Sequence, residues 1–192
     1  MDTSASTAAS STRSSLQLTL ALLVAVAVVV AIFASQSLYG GWYALFKAIH
    51  VIFAVVWVGG GFLLTLLGLI AEKRNDPQEI ATIVRQAAMV GEKLFAPAGL
   101  IVFLMGIAMM INTDWGWGKF WVVAGLIGYA ATFTTGLFVL SPLTKKMDKS
   151  VQEHGALHPE TMALAQRILL LVRFDMALLF LVVADMVTKP FS

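Results

Sequence analysis

Cysteine is absent from the 192-residue sequence, so disulfide bonds, thiolate nucleophiles, iron–sulfur clusters and cysteine-ligated zinc sites are excluded. Charged residues are also scarce, because Asp, Glu, Lys and Arg together account for 12% of the chain, about half the share found in soluble domains. Hydrophobic residues account for 59%. This composition predicts an all-α, polytopic membrane protein in contact with the lipid bilayer and leaves no length for a second, soluble domain.

The sequence also contains no glycine-rich phosphate loop, no nucleophile elbow and no HExxH zinc motif. The net charge is +2, but the basic residues lie in short connections beside apolar runs, which is typical of membrane topology rather than of phosphate binding. We therefore expect no nucleic-acid partner. The absence of a catalytic motif favours a protein without catalytic activity of its own.

The first 34 residues of the chain form two different segments. Residues 1–15 are small and polar without periodicity, which predicts a disordered tail. Residues 16–34 form an apolar run longer than the hydrophobic region of a signal peptide, so they predict a first transmembrane helix or signal anchor, with a cleaved signal peptide as the alternative. Residues 42–192 then predict a four-helix membrane domain. The total is five transmembrane helices, or four if the first is cleaved.

The membrane domain contains four further apolar runs. They cover residues 43–71, 94–111, 120–140 and about 162–187. Between the first two of these runs, residues 75–93 predict an amphipathic helix on the cytoplasmic side, beginning at Asp76 and Pro77. Pro97 predicts a bend in the next span, and Ser141-Pro142 predicts the end of the span after it. Residues 144–159 predict a loop.

The basic residues of the connections predict the orientation of the chain. They are Lys73, Arg74, Arg85, Lys93, Lys145, Lys146 and Lys149. By the positive-inside rule these connections face the cytoplasm, which places the N-terminus inside and the C-terminus outside.

His50 is the only histidine inside a predicted span, and a polar residue at such a position indicates a functional site. Its imidazole can ligate a metal, in particular the iron of haem b, with Met109, Met110 or no residue as the second axial ligand. The alternative is a structural or proton-handling histidine that bonds Asp185, Tyr43 or a backbone carbonyl. The sequence leaves these interpretations open.

Arg173, Asp175 and Asp185 are polar residues of the last predicted span. Arg173 and Asp175 are two residues apart on a helix, so their side chains point in nearly opposite directions and cannot pair with each other. Arg173 can extend to the cytoplasmic interface or meet Glu92. Asp175 is too short for that and must be paired, protonated or placed in a polar cavity, whereas Asp185 lies near the outer surface.

Small residues predict close helix packing on two spans. They are Gly59, Gly60 and Gly61 beside Trp57 on one span, and Gly128 and Gly136 on another. Such residues let neighbouring helices approach closely within a membrane. His154 and His158 have a spacing that can bind a metal, but Gly155 and Pro159 disfavour a helix there and no third ligand is evident.

Three segments carry a family resemblance. Lys47-Ala48-Ile49-His50, Val56-Trp57-Val58-Gly59-Gly60 and the closing segment from Asp185 to Pro190 resemble a family of predicted bacterial integral membrane proteins, domain of unknown function 2269. The similarity covers roughly residue 42 to the C-terminus and implies a location in the bacterial cytoplasmic membrane. The segment around His50 also resembles copper-resistance D-type proteins and the His-anchored protoporphyrinogen oxidases. In the oxidases the corresponding histidine is associated with haem, although the rest of the oxidase pattern is absent here.

Three functional hypotheses follow. The first is a small redox-associated membrane protein that binds haem b through His50, alone or within a respiratory complex. The second is a non-enzymatic assembly subunit whose glycine-rich faces dock partner subunits or a second copy of the chain. The third is a small proton- or ion-coupled transporter that uses Asp175 and Arg173, although the sequence has no repeated halves.

Overall fold

The computed structural model describes residues 42–191, and this part of the chain consists of helices joined by short connections, without a strand. The predicted tail and the predicted first transmembrane helix lie outside the described residues. The described residues divide between two compact units, with the boundary between Ala48 and Ile49. The helix packing described below belongs to the second unit.

Six α-helices and two π-helical turns make up the described chain. The first three helices are α1 (Tyr43–Arg74), α2 (Pro77–Val90) and α3 (Ala96–Ile111), and the turn π1 (Gly91–Phe95) joins α2 to α3. The last three are α4 (Phe120–Thr134), α5 (Ser141–His154) and α6 (Pro159–Thr188), and the turn π2 (Thr135–Leu140) joins α4 to α5. These elements confirm the all-α fold class.

The predicted amphipathic helix and the next span form one continuous helix of 35 residues, Pro77–Ile111. Its start is confirmed, because the Asp76 carboxylate accepts hydrogen bonds from the backbone N–H groups of Gln78 and Glu79 and caps the helix. Pro97 does not interrupt it. Instead, the Ala96 N–H donates to the Gly91 carbonyl, five residues earlier, and this wider turn accommodates the proline.

The end predicted at Ser141-Pro142 is wrong, because the helix continues to His154. The whole segment Phe120–His154 is again a continuous helix of 35 residues. The Ser141 N–H donates to the Gly136 carbonyl, five residues earlier, so a π turn again precedes a proline. Most of the predicted loop between the last two spans is therefore helix α5.

Three described helices are long and apolar enough to cross a membrane: Tyr43–Arg74, Pro77–Ile111 and Phe120–His154. The described residues thus confirm a multi-pass membrane protein but not the count of five. Helix α6 is 30 residues long but is not among these spans. Its five charged residues are spread along its length rather than grouped at one end, and they are Glu160, Arg167, Arg173, Asp175 and Asp185.

A buried cluster joins the ends of α1, α2, α5 and α6. Its members are Ala71, Ile80, Val84, Met147, Leu164, Ala165, Ile168 and Leu169. Beside it, the buried hydroxyls of Ser150 and Thr161 lie 2.6 Å apart in a hydrogen bond between α5 and α6. The connection between these helices turns at Gly155, whose φ of +86° suits a residue without a side chain.

A second buried cluster lies at the other end of α3, α4 and α6. Met110, Trp121 and Val122 form its centre, and Met186 packs against it. The ammonium group of Lys189 lies 3.7 Å from the centre of the Trp115 ring, a cation–π distance. Lys189 directly follows α6, so its contacts with the rings of Trp115 and Trp121 hold the C-terminal end of this helix.

Candidate functional site

A cavity of about 230 Å³ lies within the bundle, and all six helices contribute to its wall. Both π-helical turns border it, through Gly91, Glu92 and Phe95 of π1 and through Gly136, Leu137 and Leu140 of π2. A π turn is less stable than a regular helical turn and is frequently found at functional sites. The convergence of two such turns on one cavity identifies the candidate site.

The wall of this cavity is mostly apolar, and its only charged groups are the carboxyls of Asp175 and Glu92. No Lys, Arg or His is among its described lining residues. Two of its hydroxyls already donate hydrogen bonds, Thr132 to the Tyr129 carbonyl and Thr144 to the Ser141 carbonyl. A carboxyl group in such surroundings requires a proton or a positively charged partner.

Asp175 is half-buried and makes no hydrogen bond or ion pair with any residue that the structure describes. Arg173, two residues earlier on α6, is not part of the cavity wall. It forms a partly buried ion pair with Glu72, which joins α6 to α1. Glu92 is not the partner of Arg173, in contrast to one of the two alternatives predicted for that side chain. The half-buried carboxyl of Asp175 therefore has no cationic partner among the described residues, whereas the carboxyl of Glu92 is exposed.

The aromatic side of the cavity is held by a stack of rings. Trp57 lines the cavity and meets Tyr129 edge to face, with ring centres 5.8 Å apart. Tyr129 stacks on Phe103 and on Phe133, at 5.0 and 5.4 Å between ring centres. Gly99 allows the indole to approach, because a Cβ there would lie 3.3 Å from a carbon of the Trp57 ring. Trp57 thus forms a fixed wall.

His50 lies outside the wall of the cavity. Its Nδ1 is 2.7 Å from the backbone carbonyl of Val102. A carbonyl only accepts hydrogen bonds, so Nδ1 carries a proton and donates it, and Nε2 of the neutral ring is left as an acceptor. The ring rests against Gly106, where a Cβ would lie 3.4 Å from Cε1 of His50. The sequence left three partners open for His50, namely Asp185, Tyr43 or a backbone carbonyl, and the structure shows a bond to a backbone carbonyl.

The other residues predicted near His50 have different surroundings. Met110 is buried against Trp121 and Val122, and the carbonyl of Met109 accepts a hydrogen bond from the Thr113 hydroxyl. Oδ2 of Asp185 is buried without a hydrogen-bond partner among the described residues. Asp185 therefore does not bond His50 through this oxygen.

The glycines predicted for helix packing differ in their surroundings. A Cβ at Gly60 would lie 2.7 Å from the Phe95 ring, and one at Gly61 would lie 3.0 Å from the methyl group of Met176. At Gly128 it would overlap the Val182 side chain. At Gly59 and Gly136, no described atom outside the local helix lies within 4 Å of that position.

Sequence reasoning identified Asp175 but not the cavity or the two π turns. One signal was present, because Gly91 precedes Pro97 by the same interval of six residues that separates Gly136 from Pro142. Gly91 is the first residue of π1 and Gly136 is the second residue of π2, and each proline follows the end of its turn by two residues. The repeated Gly–x5–Pro spacing indicates where both helices widen.

The comparison with known families agrees with this architecture. The family model described as predicted integral membrane protein (DUF2269) matches residues 44–190. No curated protein and no solved structure matches the chain.

Proposed function

Since the chain belongs to the DUF2269 family of predicted integral membrane proteins, we propose that it binds small amphipathic cations within the membrane, with their positive charge against Asp175. The observation that carries this proposal is an apolar cavity whose only charged wall groups are carboxyls. A bound ammonium group donates charge-assisted hydrogen bonds to Asp175, and these bonds are strong where water is excluded. The proposal retains Asp175 from the transporter hypothesis and assigns Arg173 a structural role.

The size of the cavity restricts the ligand. A volume of about 230 Å³ is slightly below the range of about 300–1,000 Å³ for pockets that hold drug-sized molecules. A short alkylamine fits such a space, with its hydrocarbon chain against Trp57 and Phe95. A lipid with two acyl chains or a haem macrocycle exceeds it.

We further infer that α6 crosses the membrane together with the three described spans. At about 1.5 Å per residue, its 30 residues reach about 45 Å, more than the bilayer core requires. Its charged residues have specific surroundings, since Arg173 pairs with Glu72 and Asp175 lines the cavity. The positive-inside rule then assigns the α5–α6 connection to the cytoplasm of a bacterial cell.

The experiment that tests the cation site compares octylamine with octanol as probes of the full chain in lipid nanodiscs. Both have the same hydrocarbon chain, but only octylamine carries a positive charge. We expect octylamine to bind saturably and octanol to bind more weakly. A change in Trp57 fluorescence measures the binding. Asp175→Asn should weaken octylamine binding by about 10- to 150-fold, the value of one charge-assisted hydrogen bond of about 1.5–3 kcal/mol.

Two controls make this test specific. Asp185→Asn makes the same substitution on the same helix outside the cavity wall and should leave octylamine affinity unchanged. Trp57→Phe should remove the fluorescence change while calorimetry still detects binding. Equal affinities for octylamine and octanol, or wild-type affinity in Asp175→Asn, would contradict the proposal.

The bond between His50 and Val102 favours a second candidate function, the binding of haem b. A histidine that ligates a metal commonly donates its other ring N–H to a carbonyl or carboxylate, which fixes the ring. His50 donates from Nδ1 to the Val102 carbonyl, and its Nε2 would hold the iron if haem were bound. Haem would supply one-electron redox chemistry.

The absorption spectrum of the purified protein tests this second candidate. We expect a Soret band in the wild type that His50→Ala abolishes, because the two other histidines, His154 and His158, lie at the connection between α5 and α6. His154→Gln changes the last residue of its helix and should leave the band intact. A colourless wild-type protein, after expression with added haem precursor, would reject haem binding without affecting the cation proposal.

A further inference from the structure

The connection between α5 and α6 brings together two histidines and a carboxylate. His154 is the last residue of α5, His158 caps the start of α6, and Glu160 lies in the first turn of α6. The two imidazole rings stack with centres 4.6 Å apart. One ligand atom from each of the three residues lies within 4.8 Å of the others. Glu160 is therefore the third candidate ligand, which the sequence did not reveal.

The backbone of this connection is firmly held. The Thr161 hydroxyl bonds Ser150 at 2.6 Å and also donates to the Gly155 carbonyl at 3.0 Å. Ala156, in the middle of the connection, is only 3% exposed. The ends of the two helices therefore present His154, His158 and Glu160 from a fixed backbone, which reduces the reorganisation that binding requires.

The geometry points to a binding site for a divalent transition-metal ion of the zinc type at His154, His158 and Glu160. Two imidazoles and one carboxylate form a ligand set that binds zinc with a fourth position left for water. Mg²⁺ and Ca²⁺ prefer sites made of oxygen atoms, so the two nitrogen ligands select against them. The site is separate from the cavity, because none of its three residues lines that wall.

Metal binding replaces two weak interactions. Nδ1 of His158 accepts the Glu160 N–H at 3.3 Å, so the neutral ring carries its proton on Nε2. If His158 binds the metal through Nε2, the ring proton moves to Nδ1, which can then no longer accept the Glu160 N–H. If it binds through Nδ1, the metal takes the place of the Glu160 N–H. The hydrogen bond by which His158 caps α6 is lost in either case. Glu160 also lies 3.5 Å from the Lys146 ammonium, an exposed pair of the kind that contributes little to stability.

Calorimetric titration of the metal-free full chain with Zn²⁺ tests the site. We expect one Zn²⁺ per chain and no saturable binding of Mg²⁺. His154→Gln and Glu160→Gln should each lower the Zn²⁺ affinity by at least about tenfold, since residues that merely orient a metal ligand already contribute 10- to 100-fold. His158→Asn should do the same while retaining an N-cap, which separates loss of a ligand from loss of the helix.

Glu153→Gln is the matched control, because it removes an exposed carboxylate next to His154 that pairs only with Lys149 among the described residues. It should leave Zn²⁺ affinity unchanged. The proposal is overturned if the wild type shows no stoichiometric saturation, or if His154→Gln binds as tightly as the wild type. It is equally overturned if Glu153→Gln weakens binding as much as Glu160→Gln does.

Discussion

Gly128→Ala is expected to lower the free energy of unfolding by about 1–3 kcal/mol, the usual effect of overpacking a well-filled interior. A Cβ at Gly128 would overlap Cγ2 of Val182 on α6. Valine in a helix has one strongly preferred rotamer, so its methyl group cannot rotate away. The backbones of α4 and α6 must therefore separate, and thermal unfolding of the purified protein in detergent, followed by circular dichroism, measures the loss.

Two other glycines provide the controls for Gly128. Gly59 has no described atom within 4 Å of a new Cβ outside its local helix, so Gly59→Ala should stabilise the protein slightly through higher helix propensity. A Cβ at Gly125 would overlap the end of the Met186 side chain. Because a methionine side chain is flexible, Gly125→Ala should lower the free energy of unfolding less than Gly128→Ala does. Val182→Ala should restore most of the stability lost in Gly128→Ala. A Gly128→Ala variant as stable as Gly59→Ala would contradict the packing of α4 on α6.

The sequence predicted the features of this fold that depend on local pattern. Apolar runs long enough to cross a bilayer identified the spans, and Asp76 followed by Pro77 identified the start of α2. The rule that proline ends a helix failed at Pro142, because the π turn Thr135–Leu140 precedes it and accommodates the ring. The outcome at such a position depends on how the backbone relaxes over a whole turn, which hydrophobic periodicity does not encode.

The candidate site was harder to predict because its residues are distant in sequence. Asp175 was identified as a carboxyl that needs a partner or a cavity, but most of the wall consists of ordinary apolar residues from six helices. The partner of Arg173 is Glu72, 101 residues earlier, and both lie in segments where local pattern indicates only a membrane boundary. Such pairings become visible only when the helices are packed together.

Arg173→Gln and Glu72→Gln are each expected to lower the free energy of unfolding by about 1–3 kcal/mol, because each change leaves the other charge partly buried without its partner. The side chains of Arg173 and Glu72 are 34% and 29% exposed. This exposure keeps the expected cost below the roughly 3–5 kcal/mol for breaking a fully buried ion pair. The pair lies between α1 and α6, so its loss should loosen the attachment of α6 to the bundle.

A double-mutant cycle on thermal unfolding in detergent isolates the interaction between these two charges. Glu72→Gln combined with Arg173→Gln should cost less than the sum of the single changes, because no unpaired charge remains, and the coupling energy should be about 0.5–3 kcal/mol. Arg85 and Asp148 form a more exposed ion pair, with the Arg85 side chain 54% exposed. The same double-mutant cycle on this pair should give a coupling energy of at most about 1 kcal/mol. Strictly additive changes at Glu72 and Arg173 would show that the two side chains do not interact in the folded protein. Arg173 would then be a residue that extends to the membrane interface, as the sequence alone also allowed.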